Sequence, residues 1–345
     1  MHIVLVDDSI PFDGASPAAE PLAGAEKSFA SLAGALAARG HRVQAFNHAR
    51  AAAAIEGARW ETWQGTRPVE CEVLIAYRKP ELLGFVATAR QRILWLAEPA
   101  AYLDADSARG LLYAHRPTLV FMGASHAATF RARDAKLKTI VVPPGFRDEY
   151  LAGEAGTPLA PPYAVSTSHP LQGLDWLLRV WLDRVLPACP HASLRVYSAL
   201  LARAAATDAM PLPDAYRAVA DMAFGARDKG VAILPPGSDP VMADAYRGAR
   251  AHLYPGGARE AYAHTLGESQ AAGTPAVARP MAAAAERIGD EVSGYLEAGE
   301  ERFALRTLAL LEDDGLRQRL GMAAKGRSRG WDWNAAAAAF EAIWR

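Results

Sequence analysis

Glu260 and Glu268 stand with seven residues between them, in the stretch EAYAHTLGE at 260–268, directly ahead of SQAAGTPAVA. A carboxylate accepts hydrogen bonds in pairs, which suits the vicinal hydroxyls of a sugar. Upstream, AHLYP at 251–255 reads as a strand that Pro255 and Gly256-Gly257 bring to an end. Glu260 then falls in the loop at the strand's carboxyl end. A helix is predicted from about His264, with Glu268 roughly one turn inside it. The backbone N–H groups of Tyr262, Ala263, His264 and Thr265 would form its N-terminus, a natural phosphate site, with a carboxylate on each side. One glutamate could hold a ribose and the other a hexose, with a diphosphate between them. Glutamate is also an ordinary residue of helix first turns, and spacing alone favours that plainer role; the surrounding residues reverse the balance.

The elements that must position these groups follow an alternating pattern. HIVLV (2–6), RVQAF (42–46), EVLIAY (72–77), RILWL (92–96), TLVFM (118–122) and TIVVP (139–143) are short apolar runs with helical stretches among them, the first helix lying near 25–39 and ending at Gly40. Continuous apolar strands of this kind predict a parallel sheet covered on both faces. Residues 1–150 thus form one doubly wound, Rossmann-like domain, and the Gly- and Pro-rich 151–162 reads as a linker. A second alternation fills 163–330, with strands at YAVST, LRVYS, VAILP, AHLYP and PAVA and a helix near 173–187. Residues 331–345 form a terminal helix, with Asn334 as its cap. The fold class is α/β, two such domains facing across a cleft, with ligands expected at the carboxyl ends of the strands.

With the glutamates, these segments resemble the retaining glycosyltransferases of family four, the glycosyl transferases group 1, which have the GT-B fold. The family pattern runs Glu, Gly, Phe, Gly, then Glu-Ala, then Gly-Thr-Pro-Val. This chain has Glu260, Ala261, Tyr262, Ala263, then Glu268, then AAGTPAVA at 271–278. AGAEKSFASLAGALAARGHRV (23–43), GLDWLL (173–178), PHASLRVYS (190–198) and ERIGDEVSGYL (286–296) extend the likeness along the chain in the expected order. The resemblance implies that Glu268 binds the ribose of a nucleotide sugar and that Glu260 binds the transferred sugar. It implies no metal and no cofactor, retention of anomeric configuration, and a leaving phosphate that takes the acceptor's proton. It also implies an acceptor in the first domain, a donor in the second, and a terminal helix that packs back on the first domain.

The chain departs from the family at three places. An arginine and, five residues on, a lysine usually follow the first strand of the second domain; STSHPLQG (166–173) puts Thr167 and Gln172 there. Thr167 and Gln172 can still donate hydrogen bonds to a diphosphate, and His169 or Arg259 could supply positive charge. In the first domain, relatives often have a histidine after the strand matching ILWL; here Ala97 and Glu98 follow. Glu98 could take a hydroxyl. Gly24, in the first strand-to-helix loop, would let a ligand approach the backbone.

Other chemistries find less support. DAD at 104–106 has the form of a metal-binding pair but heads a helical stretch, where aspartates cap. No G-x-G-x-x-G follows the first strand, no His/Cys cluster suggests zinc, and GAS at 123–125 lacks the form of a nucleophile elbow. The chain has 345 residues and a formal charge of −1, so nothing points to nucleic acid. Cys71 and Cys189 lie far apart and read as buried thiols in a reducing compartment. No apolar run approaches the ~20 residues of a membrane span, and MHIVLVDDS is too short in its apolar part for a leader. The expectation is a soluble, cytoplasmic protein, compatible with peripheral contact at a membrane. It would move a sugar from a nucleotide sugar to a hydroxyl acceptor of a surface polysaccharide, a glycolipid or a small molecule. A non-catalytic binding protein and a sugar-nucleotide epimerase of the same architecture stay open beside it.

Overall fold

A computed structural model describes residues 1–131, 137–206, 212–258 and 260–345. Two compact α/β units are present, each built on its own mainly parallel sheet.

The first unit contains β1 (His2–Val6), β2 (Arg42–Asn47), β3 (Ala53–Ile55), β4 (Ala58–Thr62), β5 (Glu70–Tyr77), β6 (Thr88–Trp95), β7 (Thr118–Phe121) and β8 (Thr139–Val141). Their order across the sheet is β3-β4-β2-β1-β5-β6-β7-β8. Among the described residues only β3 and β4 pair antiparallel, across a turn in which Glu56 and Gly57 both have positive φ. Ile3, Leu5, Val73 and Ile75 pack on one face of this sheet with Phe29 and Leu32 of the helix Gly24–Ala38. Val4, Val6, Leu74 and Leu94 fill the other face with Leu103 and Leu112.

The second unit contains β9 (Tyr163–Ser166), β10 (Ser193–Tyr197), β11 (Val231–Leu234), β12 (Ala251–Tyr254), β13 (Ala276–Ala278) and β14 (Gly294–Leu296), in the order β11-β10-β9-β12-β13-β14. All of its strand pairs are parallel. Each sheet therefore reverses its winding at one place, between β1 and β5 in the first and between β9 and β12 in the second. A crevice opens at such a switch point because the connections leave it in opposite directions.

The unit boundaries differ in detail from those read in the sequence. Residues 148–150 pack with the second unit, and Gly330 with the first. The segment ending at Tyr262, placed by its sequence inside 163–330, also packs with the first unit. Tyr262 explains this: its ring is buried in that unit's core, and its hydroxyl donates to the carbonyl of Pro144 at 3.0 Å. The terminal helix Trp333–Glu341 belongs to the first unit as well, where Phe340 and Ile343 join the core. Its cap is Asp332, which accepts from the Ala335 N–H at 2.8 Å; Asn334 instead accepts from Arg39. An aspartate one residue before the first turn outcompetes an asparagine already inside it. Cys71 and Cys189 are both buried free thiols. No helix among the described residues is long and apolar enough to cross a membrane.

Candidate active site

In the second unit, the carboxyl ends of β9 and β12 bring together two loops and a helix. The helix spans His264–Ala271, and the residue before it, Ala263, holds a left-handed conformation with φ 51°. Thr265 lies in the first turn, and Glu268 follows one turn later, about 8% exposed. Burial, and next the charge of Glu268, raise the phenols of Tyr150 and Tyr246 well above their usual range. The Gly-Thr-Pro run fixes the far end of this helix. Gly273 has φ 81°, Thr274 donates to the Tyr246 carbonyl at 2.7 Å, and the Pro275 carbonyl accepts from the His252 N–H at 2.9 Å. A Cβ on Gly321 would lie 2.5 Å from the Gly273 carbonyl oxygen, so the helix Asp314–Ser328 can pack here only through a glycine.

Thr167, just past β9, lies 2.7 Å from the hydroxyl of Thr265 and 3.0 Å from Nε2 of His252. Nδ1 of His252 lies 2.8 Å from the Ser269 hydroxyl. The four side chains form one continuous hydrogen-bonded line from the middle of the helix to its mouth. His252 is fully buried between Tyr246 and Tyr254, and that burial lowers its pKa to about 3, so the ring is neutral. Nothing in the sequence distinguishes His252, a single polar residue in a short strand buried along its whole length.

The other candidates are placed as follows. His169 accepts from the Leu171 N–H through Nδ1 at 3.3 Å and meets the Tyr216 hydroxyl with Nε2 at 3.4 Å. Burial lowers its pKa, so the free protein does not hold it as a cation. Gln172 lies over Gly257, where an added Cβ would come within 2.9 Å of its Cγ. His264 is the first residue of the helix. Arg259 lies outside the described residues. Glu260 is half-buried and belongs to the segment that packs with the first unit, whereas Glu268 belongs to the second.

In the first unit, Gly24 is the first residue of its helix, and its carbonyl accepts from Ser28 at 2.7 Å. Glu98 lies past β6, exposed, on a turn pinned from behind. His126 accepts from the Met122 N–H through Nδ1 and so donates from Nε2 to the Glu98 carbonyl at 2.7 Å. Thr129 accepts from the Ala100 N–H at 2.8 Å.

Residues 229–327 match the family model described as Glycosyl transferases group 1. A 117-residue stretch is 38% identical to a D-inositol 3-phosphate glycosyltransferase of Xylanimonas cellulosilytica, covering 33% of this chain and 28% of that relative. The match thus spans less than a third of the relative's length. The whole fold is similar to that of sucrose-phosphate synthase from Thermosynechococcus elongatus, with TM-score 0.72 and 13% identity over 100% of this chain and 98% of the other. It is similar as well to Anabaena HepE, solved with UDP and glucose, with TM-score 0.70 and 13% identity over 99% of each chain. The likeness to glycosyl transferases group 1 read from the sequence therefore holds, and the fold is GT-B.

Proposed function

We propose that this chain, a GT-B fold with a glycosyl transferases group 1 segment, is a metal-independent, retaining glycosyltransferase. It moves a sugar from a nucleotide diphosphate to a hydroxyl acceptor of a polysaccharide, a glycolipid or a small molecule. The observation that carries the reading is the switch-point site of the second unit: a helix N-terminus lined by two hydroxyls, with a buried carboxylate one turn behind it. The helix end attracts the diphosphate, and Glu268 accepts from the ribose hydroxyls. Thr167 and Gln172, which stand where relatives have cations, donate to the diphosphate together with Thr265, and Glu260 holds the transferred sugar. Transfer breaks the bond from the anomeric carbon to the diphosphate oxygen. The acceptor oxygen forms the new bond on the same face, and its proton passes to the departing phosphate. No separate protein base is then required. The acceptor would bind in the first unit and the donor in the second.

The test starts with a thermal-shift screen of UDP, GDP, ADP and CMP, followed by calorimetry on the best binder. Glu268→Ala should weaken nucleotide diphosphate binding by about tenfold to a hundredfold, the worth of hydrogen bonds to a charged group. Unchanged affinity would remove Glu268 from the site. Thr167 and Gln172 at the cation positions also favour a second reading, a binding protein without transfer. Nucleotide binding with no sugar release would support that one, and an epimerised donor without acceptor would indicate an epimerase.

A further inference from the structure

The first sheet has a switch-point crevice of its own, beyond the carboxyl ends of β1, β5 and β6. It has a cavity volume of about 290 Å³ and is lined by Asp8, Arg78, Lys79, Glu81, Glu98 and Tyr102, among others. That is near the lower end of small-molecule sites, room for a single ring. We propose that this crevice is the acceptor pocket and that it selects a hydroxyl-rich ring carrying no phosphate or carboxylate. The word acceptor rests on the glycosyltransferase reading; the ligand class rests on the crevice alone.

Both cations on the wall are already engaged. Lys79 Nζ donates to the Asp8 carboxylate at 2.7 Å and to the Asp8 carbonyl at 2.8 Å. Arg78 donates to Glu26 at 2.6 Å, with Asp7 at 3.6 Å on its other side. Hydrogen bonds from Lys79 and then His48 lower the pKa of Asp8, so it stays anionic. Glu81 and Glu98, in contrast, have no ion-pair partner among the described residues. Tyr102 reports on both: burial raises its phenol, and next Glu98 and Glu81 raise it further. An incoming phosphate would have to draw Lys79 or Arg78 away from its own carboxylates while facing two more. An uncharged ring can donate its hydroxyls to these carboxylates without displacing either cation, and an amine gains a charged partner as well.

The experiment titrates the full chain with glucose, glucosamine and glucose 6-phosphate by calorimetry. Glucosamine should bind best and glucose 6-phosphate worst, with about tenfold between successive ligands, as expected for charge complementarity and its reverse. The double variant Glu81→Gln with Glu98→Gln keeps hydrogen-bonding oxygens and removes the charge. It should bring the three affinities within about threefold of one another. Both side chains are exposed, so the variant should fold, which circular dichroism checks. Ser107→Trp, on the crevice wall, should abolish hexose binding. The proposal is overturned by glucose 6-phosphate binding as tightly as glucose, by an unchanged ranking in the double variant, or by no saturable hexose binding. Nucleotide titrations on the same samples separate the two claims. A wild type that ranks the hexoses as stated but binds no nucleotide keeps the crevice and sinks the transferase reading. Nucleotide binding without the ranking does the opposite.

Discussion

His252 is fully buried as the second residue of a central strand, so its charge state is a property of the fold. Burial holds its pKa at about 3 against a usual 6.5. The unfolded chain binds that proton and the folded one does not, so its contribution to stability is complete above pH 6.5 and is lost as pH falls toward 3. His252→Gln cannot titrate. It should be about 1 kcal/mol less stable at pH 7, through one lost hydrogen bond, yet lose less stability between pH 7 and 5. Urea unfolding at the two pH values measures both effects, and equal slopes would show that His252 does not set this dependence. Ala263 carries the opposite kind of constraint. Its left-handed backbone, φ 51°, strains an L residue by about 1 kcal/mol. Ala263→Gly should relieve much of that and raise the melting temperature. A lower melting temperature would mean that the buried methyl contributes more by packing than the backbone loses by strain.

The terminal helix shows which elements the sequence reveals and which it hides. Its alanine run and its apolar face at Phe340 are plain in the sequence, but the residues that fasten it are three hundred positions away. Glu341, almost fully buried, accepts from Arg39 Nε at 2.6 Å and from His41 at 3.0 Å, and also pairs with Arg345. The hydrogen bond from Arg39 leads in lowering its pKa from 4.5 to about 2. No local periodicity could have found that pairing. The hairpin of β3 and β4 is hidden for a different reason: β3 is three residues long and mostly alanine, β4 carries charged residues, and Glu56-Gly57 alone marks the turn. The long apolar strands were legible because burial on both faces leaves no polar alternation to confuse them. Glu341→Gln should cost about 2 kcal/mol at pH 7, within the range for a hydrogen bond to a charged group, since Arg39 is partly exposed. The stabilisation in the wild type is present above pH 4.5 and fades as pH falls through about 2, so the variant's deficit should shrink in acid. A deficit independent of pH would assign the loss to packing instead.

At the scale of the molecule, two sheets each close their own hydrophobic clusters, and each has its own switch point. The sequence disclosed this duplication through two runs of alternating strands and helices. It could not disclose that the chain returns to the first unit at Tyr262, because a single buried tyrosine near a glycine-rich loop has no pattern around it. Nor could it separate Glu260 from Glu268, which the motif presents as one device and the structure distributes over two units. Separate cores predict separate responses to ligand, since a ligand stabilises the unit that binds it by mass action. Scanning calorimetry of the full chain should therefore resolve two transitions, or one broadened beyond two-state behaviour. The best nucleotide diphosphate at about a hundred times its dissociation constant should stabilise one of them by about 2.7 kcal/mol and leave the other nearly in place. Glu268→Ala should remove about half of that shift or more, which identifies the moving transition as the second unit. Glucosamine should move the remaining transition, and Glu81→Gln with Glu98→Gln should reduce that movement. A single sharp two-state transition that every ligand shifts equally would show the units to unfold as one, and stability could then no longer report which unit holds which substrate.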